Sequence, residues 1–266
     1  MSSSSASKPL LRNGVSPSKV GVPAKTDTTA LEFLAHRFPA ISREDWLQRF
    51  LEGSVFNALG RKLGPEHCLL DETHLLYFRH VADEPALPFK ANVIYRDDYL
   101  VVADKPHFMP VTPGGKYLQQ SLLVQLKQEL NLPDLSPLHR IDRETAGLVL
   151  FSVRAQDRNA YQEQFRLRQV QKTYEAIADA PASSKQKLQF PITYRSMMVT
   201  DAQFFKMREL AATECDPSNP FNSETWIDCV ESLEPDVSAS SASEQSLKSL
   251  AKYIMKPVTG QRHQLR

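Results

Sequence analysis

The sequence places one carboxylate in a polar stretch that leads directly into an apolar run. The polar stretch, residues 139–145, reads HRIDRET, and the apolar run, residues 147–151, reads GLVLF. A carboxylate on a loop in front of a rigid strand keeps its position while its oxygen atoms stay accessible to a substrate, as a nucleophile requires. Asp142 is therefore the first candidate for catalysis. The alternative is that Asp142 only makes surface ion pairs with the neighbouring arginines.

The HRxD string at residues 139–142 also occurs in the catalytic loop of protein kinases. A kinase does not fit the rest of the chain, because the sequence has no Gly-rich phosphate loop, no DFG triplet and only nine glycines. A carboxylate hydrolase would need a second catalytic carboxylate across the bond that it cleaves, and no motif supplies one. Neither class explains the stretch.

A tyrosine and a second basic motif stand later in the chain. Residues 172–174 read KTY, and residues 256–266 read KPVTGQRHQLR. The Tyr174 phenol offers a flat face for a base and a hydroxyl that can donate or accept a proton, whereas a core tyrosine would need only a satisfied hydroxyl. The spacing alone does not decide between these two interpretations.

Positive charge is concentrated between residues 139 and 172. This segment carries seven Arg or Lys against four Asp or Glu, although the formal net charge of the whole chain is only +1. The seven are Arg140, Arg143, Arg154, Arg158, Arg166, Arg168 and Lys172. The strip is either a track for an RNA backbone or a solvated helix face, and charge counting alone does not choose between them.

Four elements of the sequence resemble the RluA-type pseudouridine synthases. Residues 138–151 are similar to the HRxDxxTxG motif of that family, residues 172–174 to its K-x-Y motif, and residues 256–266 to its TGRxHQ(I/L)R motif. Residues 93–115 are similar to the strand-and-loop opening of the same catalytic domain. The four elements stand in the family's order, and together they cover residues 87–266.

The resemblance implies that the chain converts selected uridines of structured RNA into pseudouridine. Asp142 is then the nucleophile, acting at C6 of the base or at C1′ of the ribose, and Tyr174 sits beside it. Arg266 aligns with an arginine that pairs with the catalytic Asp in the family, since an opposite charge favours the ionised carboxylate. Gln261 stands where the family commonly has Arg, so Arg262 is an alternative partner.

The resemblance also implies which residues contact the substrate. They are His139, Arg140, Arg143, Lys172 and Arg262. A stacked uridine has to be flipped out of the RNA, and Arg140 is the candidate that fills the vacated space, because an arginine plane stacks on bases while its charge meets phosphate. The isomerisation exchanges no electrons and adds no group, so we expect no cofactor and no metal.

Family members continue beyond the last motif, whereas this chain stops at Arg266. We therefore expect a catalytic domain that is incomplete at its C-terminus. The alternative function is a catalytically impaired remnant that still binds RNA.

Local patterns predict the elements that position these residues. Ser42 and Asp45 form a capping pattern ahead of a helix that Gly53 ends. Strands are predicted at residues 75–78, 93–95, 100–103, 147–153 and 173–178, and helices around residues 122–130 and 161–165. Because strands and helices mix without regular βαβ alternation, we expect an α+β fold with a mixed or antiparallel sheet.

The chain divides by composition into three segments. Residues 1–27 are rich in Ser and Pro and are predicted to be a disordered tail. Residues 28–86 form a small α/β extension that distantly resembles an S4-like RNA-binding module and is otherwise a structural extension. Residues 87–266 form the catalytic domain.

Composition sets the remaining expectations. At 266 residues and 41% hydrophobic content, the chain can bury an ordinary core, and its three cysteines lack the CxxC spacing of a zinc site. The apolar runs fall far short of the roughly 20 residues that span a bilayer, and the N-terminus lacks an apolar signal core. We expect a cytoplasmic monomer that acts on RNA, with ribosomal RNA favoured over tRNA because of the S4-like resemblance.

Overall fold

The computed structural model describes residues 10–81, 83–181, 189–201, 206–233 and 250–265. It has the predicted α+β architecture, with antiparallel sheets and a few helices. The chain divides into two compact units between Gln162 and Glu163. The boundary predicted between residues 86 and 87 lies inside the first unit and stays a prediction. The segment before it is anchored, because the Glu84 carboxylate accepts hydrogen bonds of 2.6, 2.9 and 2.6 Å from three consecutive N–H groups at residues 118–120.

The first unit begins with an N-terminal module of strands and helices. In chain order these are β1 (Ser18–Gly21), α1 (Ala30–Arg37), α2 (Arg43–Leu51), β2 (Val55–Asn57) and β3 (His74–Tyr77). The strands form an antiparallel sheet in the order β1-β3-β2. The helices cover it with buried side chains that include Leu31, Leu34 and Trp46.

Strand β1 lies inside the segment that was predicted to be a disordered tail through residue 27. The structure differs there because Val20 enters the core of the module and β1 pairs with β3. Residues 1–9 lie outside the described residues. Arg12 is also fixed to this module, because its guanidinium donates to the Ser54 hydroxyl at 2.8 Å and lies 4.6 Å from the centre of the Phe78 ring.

The predicted helix of this module is confirmed. The Ser42 hydroxyl accepts the N–H of Asp45 at 3.0 Å, so it satisfies one of the free donors at the start of α2. The helix ends at Leu51, and Gly53 follows with a φ of 60°, a left-handed conformation that glycine adopts without strain.

A second sheet of the first unit carries the candidate nucleophile. Its elements are β4 (Asn92–Arg96), β5 (Leu100–Lys105), α3 (Leu122–Glu129), β6 (Ser136–Pro137) and β7 (Gly147–Ser152). The antiparallel strand order is β4-β5-β7-β6, with Lys105 opposite Gly147. The strands predicted around residues 93–95, 100–103 and 147–153 and the helix at 122–130 are thereby confirmed. Val101, Val149 and Phe151 form the core beneath α3.

The second unit begins at Glu163, within helix α4 (Arg158–Arg166). Its strands are β8 (Tyr174–Asp179), β9 (Ile192–Ser196), β10 (Met198–Thr200), β11 (Met207–Glu209), β12 (Ser223–Leu233) and β13 (Leu250–Pro257). Short 3-10 helices lie at Ala155–Asp157 in the first unit and at Ala212–Glu214 in the second. The main sheet is antiparallel in the order β8-β13-β12-β9, and β10 pairs with β11. The start of β8, the end of β13 and the start of β12 therefore meet at one end of this sheet.

Across the part of the chain that the structure describes, no helix has the length and apolar character needed to cross a bilayer.

Candidate active site

Asp142 lies on the connection between β6 and β7, which we call the Asp142 loop (residues 138–146). The loop is fixed at its start, where the N–H of Leu138 donates to the carbonyl oxygen of Leu150 at 2.8 Å. It turns tightly after Asp142, because the Thr145 N–H donates to the Asp142 carbonyl oxygen at 3.1 Å. Asp142 itself is partly buried. Asp142 thus lies on a hydrogen-bonded loop directly before a strand, as the sequence predicts.

Gly147 ends the loop and begins β7 with a φ of 121°. A Cβ at this position would meet no atom within 4 Å, so space does not require a glycine here. The backbone conformation does, because side chains with a Cβ rarely adopt such a positive φ.

His139 ties the loop to β7. The N–H of Leu150 donates to its Nε2 at 3.2 Å, so Nε2 is the unprotonated ring nitrogen. The substrate-binding role of His139 stays a prediction. The bond to Leu150 gives the ring a structural role as well.

Lys105 is a buried cation next to the Asp142 loop. Its side chain is fully buried, at 0% exposure. Its Nζ donates to the main-chain oxygens of Pro106, Met109 and Arg143 at 2.9, 2.8 and 3.1 Å. Burial lowers the pKa of Lys105 to about 8, while the negative charges of Glu144 and Asp142 act in the opposite direction.

The loop that follows Lys105 makes a second contact with the Asp142 loop. The Nδ1 of His107 lies 2.6 Å from the carbonyl oxygen of Glu144, which can only accept, so Nδ1 carries the proton. Phe108, the next residue, has a φ of 65°, which turns the chain sharply around the Lys105 ammonium. The carbonyl groups of Arg143 and Glu144, the two residues after Asp142, therefore accept hydrogen bonds from the side chains of Lys105 and His107.

The arginines of the loop differ in their surroundings. Arg143 is exposed and pairs with Glu144, with the Nη2 atom 3.0 Å from Oε1, and the hydrogen bond to Glu144 raises the pKa of Arg143. The Arg143 guanidinium also lies 6.0 Å from the centre of the Tyr117 ring. Arg140 is exposed, so its guanidinium is accessible to a ligand.

Three members of the predicted basic strip make local contacts. The Arg154 guanidinium lies 4.1 Å from the centre of the Tyr99 ring and pairs with Asp157. Arg158 donates to the carbonyl oxygen of Asp134 at 3.1 Å, and Arg166 pairs with the nearby Glu163. These three arginines of the strip therefore make contacts that are ordinary for helices and loops.

The predicted residues of the second unit meet at one end of its main sheet. Tyr174 begins β8 and lies opposite Met255 near the end of β13. The Lys172 Nζ lies 4.0 Å from the position that a Cβ on Gly260 would take. The KTY motif and the last motif therefore lie side by side, although Tyr174 and Lys256 are 82 positions apart in the sequence.

The last motif is folded into a turn by its own polar side chains. Gln264 Oε1 accepts from the Thr259 hydroxyl at 2.9 Å and from the Gln261 N–H at 2.8 Å. Gln264 Nε2 donates to the Glu224 carbonyl oxygen at 3.0 Å and to the Thr225 hydroxyl at 2.9 Å. The motif is thereby tied to the start of β12. Arg262 is exposed in this turn, and Arg266 lies outside the described residues.

Lys105 and the roles of Thr259 and Gln264 are not predicted from the sequence. A signal for Lys105 was present, because β5 alternates and places Val101, Ala103 and Lys105 on its buried face. A lysine on the core face of a strand needs partners for its charge. Thr259 and Gln264 belong to the last motif, but their partner Glu224 lies 35 and 40 residues earlier in the chain, and such a distant contact has no local signature.

The arrangement around Asp142 suits covalent or electrostatic catalysis by a carboxylate. The loop is pinned by hydrogen bonds from two side chains, at Lys105 and His107, and a buried positive charge stands close to it. A fixed carboxylate in a partly water-excluded site needs little reorganisation to attack an electrophile.

Comparison with known proteins gives a consistent picture. The family model described as RNA pseudouridylate synthase matches residues 99–266, which is more than half of the chain. An uncharacterized RNA pseudouridine synthase from Synechocystis sp. is 32% identical over 147 residues, covering 55% of this chain and 50% of that protein. The tRNA pseudouridine synthase C of Haemophilus influenzae is 29% identical over 115 residues, covering 41% of this chain and 46% of that protein.

Among solved structures, human RNA pseudouridylate synthase domain containing 1 matches with a TM-score of 0.51 at 20% identity. The match covers 69% of this chain and 66% of the human chain. At this identity the likeness concerns the fold. The chain spans about half the length of the two curated relatives described above.

Proposed function

The chain belongs to the RNA pseudouridylate synthase family, of the RluA type, and on this premise we propose that it isomerises selected uridines of structured RNA to pseudouridine. Asp142 is the proposed nucleophile. One observation carries this assignment. Asp142 lies on a loop that connects β6 and β7 and that is fixed by hydrogen bonds to β7 and to the Lys105 ammonium. A reactive carboxylate needs such support to keep its geometry.

The reaction breaks the bond between uracil N1 and ribose C1′ and forms a bond between C5 and C1′. The hydrogen on C5 leaves as a proton and N1 gains one, so the product is an isomer and nothing is oxidised or reduced. A carboxylate can assist by adding to C6 of the base or by attacking C1′ as the base departs. In both routes Asp142 forms one covalent bond, which is broken again before release.

The remaining predicted residues have supporting roles in this proposal. Tyr174 supplies a flat face for the uracil and a hydroxyl for hydrogen bonding. Arg140 fills the space that the flipped base leaves, and its exposure is compatible with entry into an RNA stack. Arg143, Lys172 and Arg262 bind phosphates. Arg266 or Arg262 is the proposed cationic partner of the Asp142 carboxylate.

We favour ribosomal RNA over tRNA as the substrate. The support is the N-terminal module, which joins the helix pair α1 and α2 to a small sheet and distantly resembles an S4-like RNA-binding module. The name of the Haemophilus relative specifies tRNA for that protein. The two classes of RNA are distinguished by mapping pseudouridines in total RNA from cells with and without this gene. Loss of a ribosomal site supports the proposal, whereas loss of a tRNA site alone rejects the preference.

Activity is tested by tritium release. RNA labelled with tritium at C5 of its uridines loses the label to water only when C5 exchanges its hydrogen for the new glycosidic bond. The purified chain should release tritium from total ribosomal RNA in a time-dependent way, up to a small whole number of sites per molecule. Binding of RNA with no release would instead support the alternative, an RNA-binding remnant.

A further inference from the structure

A cavity of about 200 Å³ lies in the first unit, between a turn near the N-terminus and helix α3. The turn, residues 12–15, is closed by two main-chain hydrogen bonds of 3.0 Å that Arg12 and Val15 exchange. It is attached to α3 as well, because the Gln128 Nε2 donates to the carbonyl oxygen of Asn13 at 2.7 Å. No part of the proposed reaction uses this cavity.

The turn packs closely on α3, so the wall of the cavity is well defined. A Cβ on Gly14 would lie 3.2 Å from the Cγ of Gln128 and 3.3 Å from the Cγ1 of Val124. Val15 is buried in a small apolar cluster with Leu118 and Val124. The space that remains beside this cluster is therefore a gap between packed elements of one unit.

The charged groups that line the cavity are all positive. Arg79 and Lys127 contribute one cation each, and the described lining residues include no Asp or Glu. Ser16 and Ser18 add hydroxyl groups. The remaining lining residues are apolar or glycine. An anion is the ligand that such a lining favours.

Lys127 is buried, at 9% exposure, and its Nζ forms no hydrogen bond or salt bridge with the residues that the structure describes. Lys105, by contrast, has three main-chain oxygen atoms around its ammonium. Burial lowers the pKa of Lys127, the charge of Asp134 opposes this effect, and the charge of Arg158 adds to it. A buried ammonium without an acceptor is costly, and a bound anion would offset that cost.

Arg79 also has donors to spare. Its Nη2 donates to the carbonyl oxygen of Gly115. A guanidinium has five N–H groups, and this is the hydrogen bond that Arg79 makes within the described parts of the chain. The side chain is partly buried, so a ligand in the cavity would meet donors that are shielded from bulk water.

We propose that this cavity binds one small oxyanion of the phosphate class, held by charge-assisted hydrogen bonds from Lys127 and Arg79. The volume decides the class, because about 200 Å³ is less than the roughly 300–1,000 Å³ of pockets that enclose drug-sized ligands. A free phosphate ion fits, whereas a nucleotide or an RNA strand does not. The bound ion would join the N-terminal turn, the segment after β3 and α3 within the first unit.

Thermal melting of the native chain in inorganic phosphate is the first test. Two charge-assisted contacts imply a dissociation constant of about 1 mM. We therefore expect about 20 mM phosphate to raise the melting temperature of the first unit by about 3 °C, relative to chloride at equal ionic strength. Uridine monophosphate at the same concentration should have no such effect. An equal effect of the nucleotide that Lys127→Met removes would overturn the assignment to a free oxyanion.

Substitutions locate the ion. Lys127→Met and Arg79→Met should lose the phosphate-dependent shift, and in chloride Lys127→Met should melt no lower than the native chain, because it removes an unpaired buried charge. Lys90→Met, at an exposed lysine outside the cavity, is the matched control and should keep the shift. Arg143→Met should keep it too. A shift that Arg143→Met loses and Lys127→Met retains would assign the ion to the proposed RNA-binding surface and overturn the inference.

Amide hydrogen exchange of the native chain needs neither substitutions nor activity, so its outcome is independent of the proposed function. With about 20 mM phosphate the Val15 N–H, which is bonded to the Arg12 carbonyl oxygen, should exchange at least about fivefold more slowly. The Trp46 N–H, bonded to the Ser42 carbonyl oxygen in α2, should keep its rate. This measurement decides if the cavity variants do not fold. Unchanged exchange of Val15 together with an unchanged melting temperature would overturn the inference.

Discussion

The side-chain oxygen of Gln264 lies 2.9 Å from the hydroxyl of Thr259, which donates to it. The same amide group reaches the start of β12 through its nitrogen, at the Glu224 carbonyl oxygen and the Thr225 hydroxyl. One glutamine thus closes the turn that carries Arg262 and attaches it to the sheet. The segment that resembles the family's HQ(I/L)R string therefore stabilises the local fold and is also a candidate binding site.

Replacing Gln264 with Glu should therefore loosen this turn. A carboxylate can still accept from Thr259, but it cannot donate to Glu224 or Thr225, and two acceptors are left facing each other. We expect a loss of about 1–3 kcal/mol in the free energy of unfolding of the second unit. Thermal melts measure the change. Gln169→Glu, the same substitution at an exposed position, is the control, and equal melting temperatures for the two variants would contradict the structural role of Gln264.

Lys105 also predicts an unusual dependence of stability on pH. Its folded pKa of about 8 lies below the ordinary 10.5, so between these values the unfolded chain holds a proton that the folded chain has lost. Stability from this group must then rise with pH across that window, by at most about 1.4 kcal/mol per pH unit. The measurement is the difference in free energy of unfolding between the native chain and Lys105→Met from about pH 8 to pH 10.5. A difference that stays constant or falls would show that burial does not control this pKa.

The local elements could be predicted from the sequence. The Ser42 cap, the strands around residues 93–103 and the loop that presents Asp142 each depend on patterns within about ten residues, and the structure has all of them. Contacts between distant segments could not be predicted in this way. Strand β1 forms only because β3 lies beside it, with Ser18 opposite Tyr77, and a Ser- and Pro-rich composition contains no trace of that pairing.

The residues of the candidate site also fall into those that local sequence predicts and those that depend on distant contacts. Asp142 and Gly147 are readable from one stretch of sequence, because a polar turn followed by a strand has a local pattern. The Lys105 ammonium is recognisable only as a misplaced charge on an alternating strand, and its contact to Arg143 depends on the register in which β5 pairs with β7. The role of Gln264 depends in the same way on the position of β12 beside β13.

Arg140 is expected to matter more for folded than for unfolded RNA. If its side chain replaces a flipped base in the stack, Arg140→Ala should lower kcat/KM on a structured target about tenfold more than on a minimal single-stranded one, because only the structured target has to be unstacked. Arg140→Lys keeps the charge without the plane and should restore phosphate attraction but not stacking. Equal losses on both substrates would argue against a role in base flipping.

Asp142→Asn decides whether Asp142 is the nucleophile. The substitution keeps the size and most of the hydrogen bonding of the side chain but removes the negative charge. Tritium release from uridine-labelled RNA and RNA affinity are to be measured on the native and substituted chains in parallel. We expect no detectable release by Asp142→Asn with an RNA affinity within about threefold of the native value. Substantial release by Asp142→Asn, from a native chain that is itself active, would contradict it.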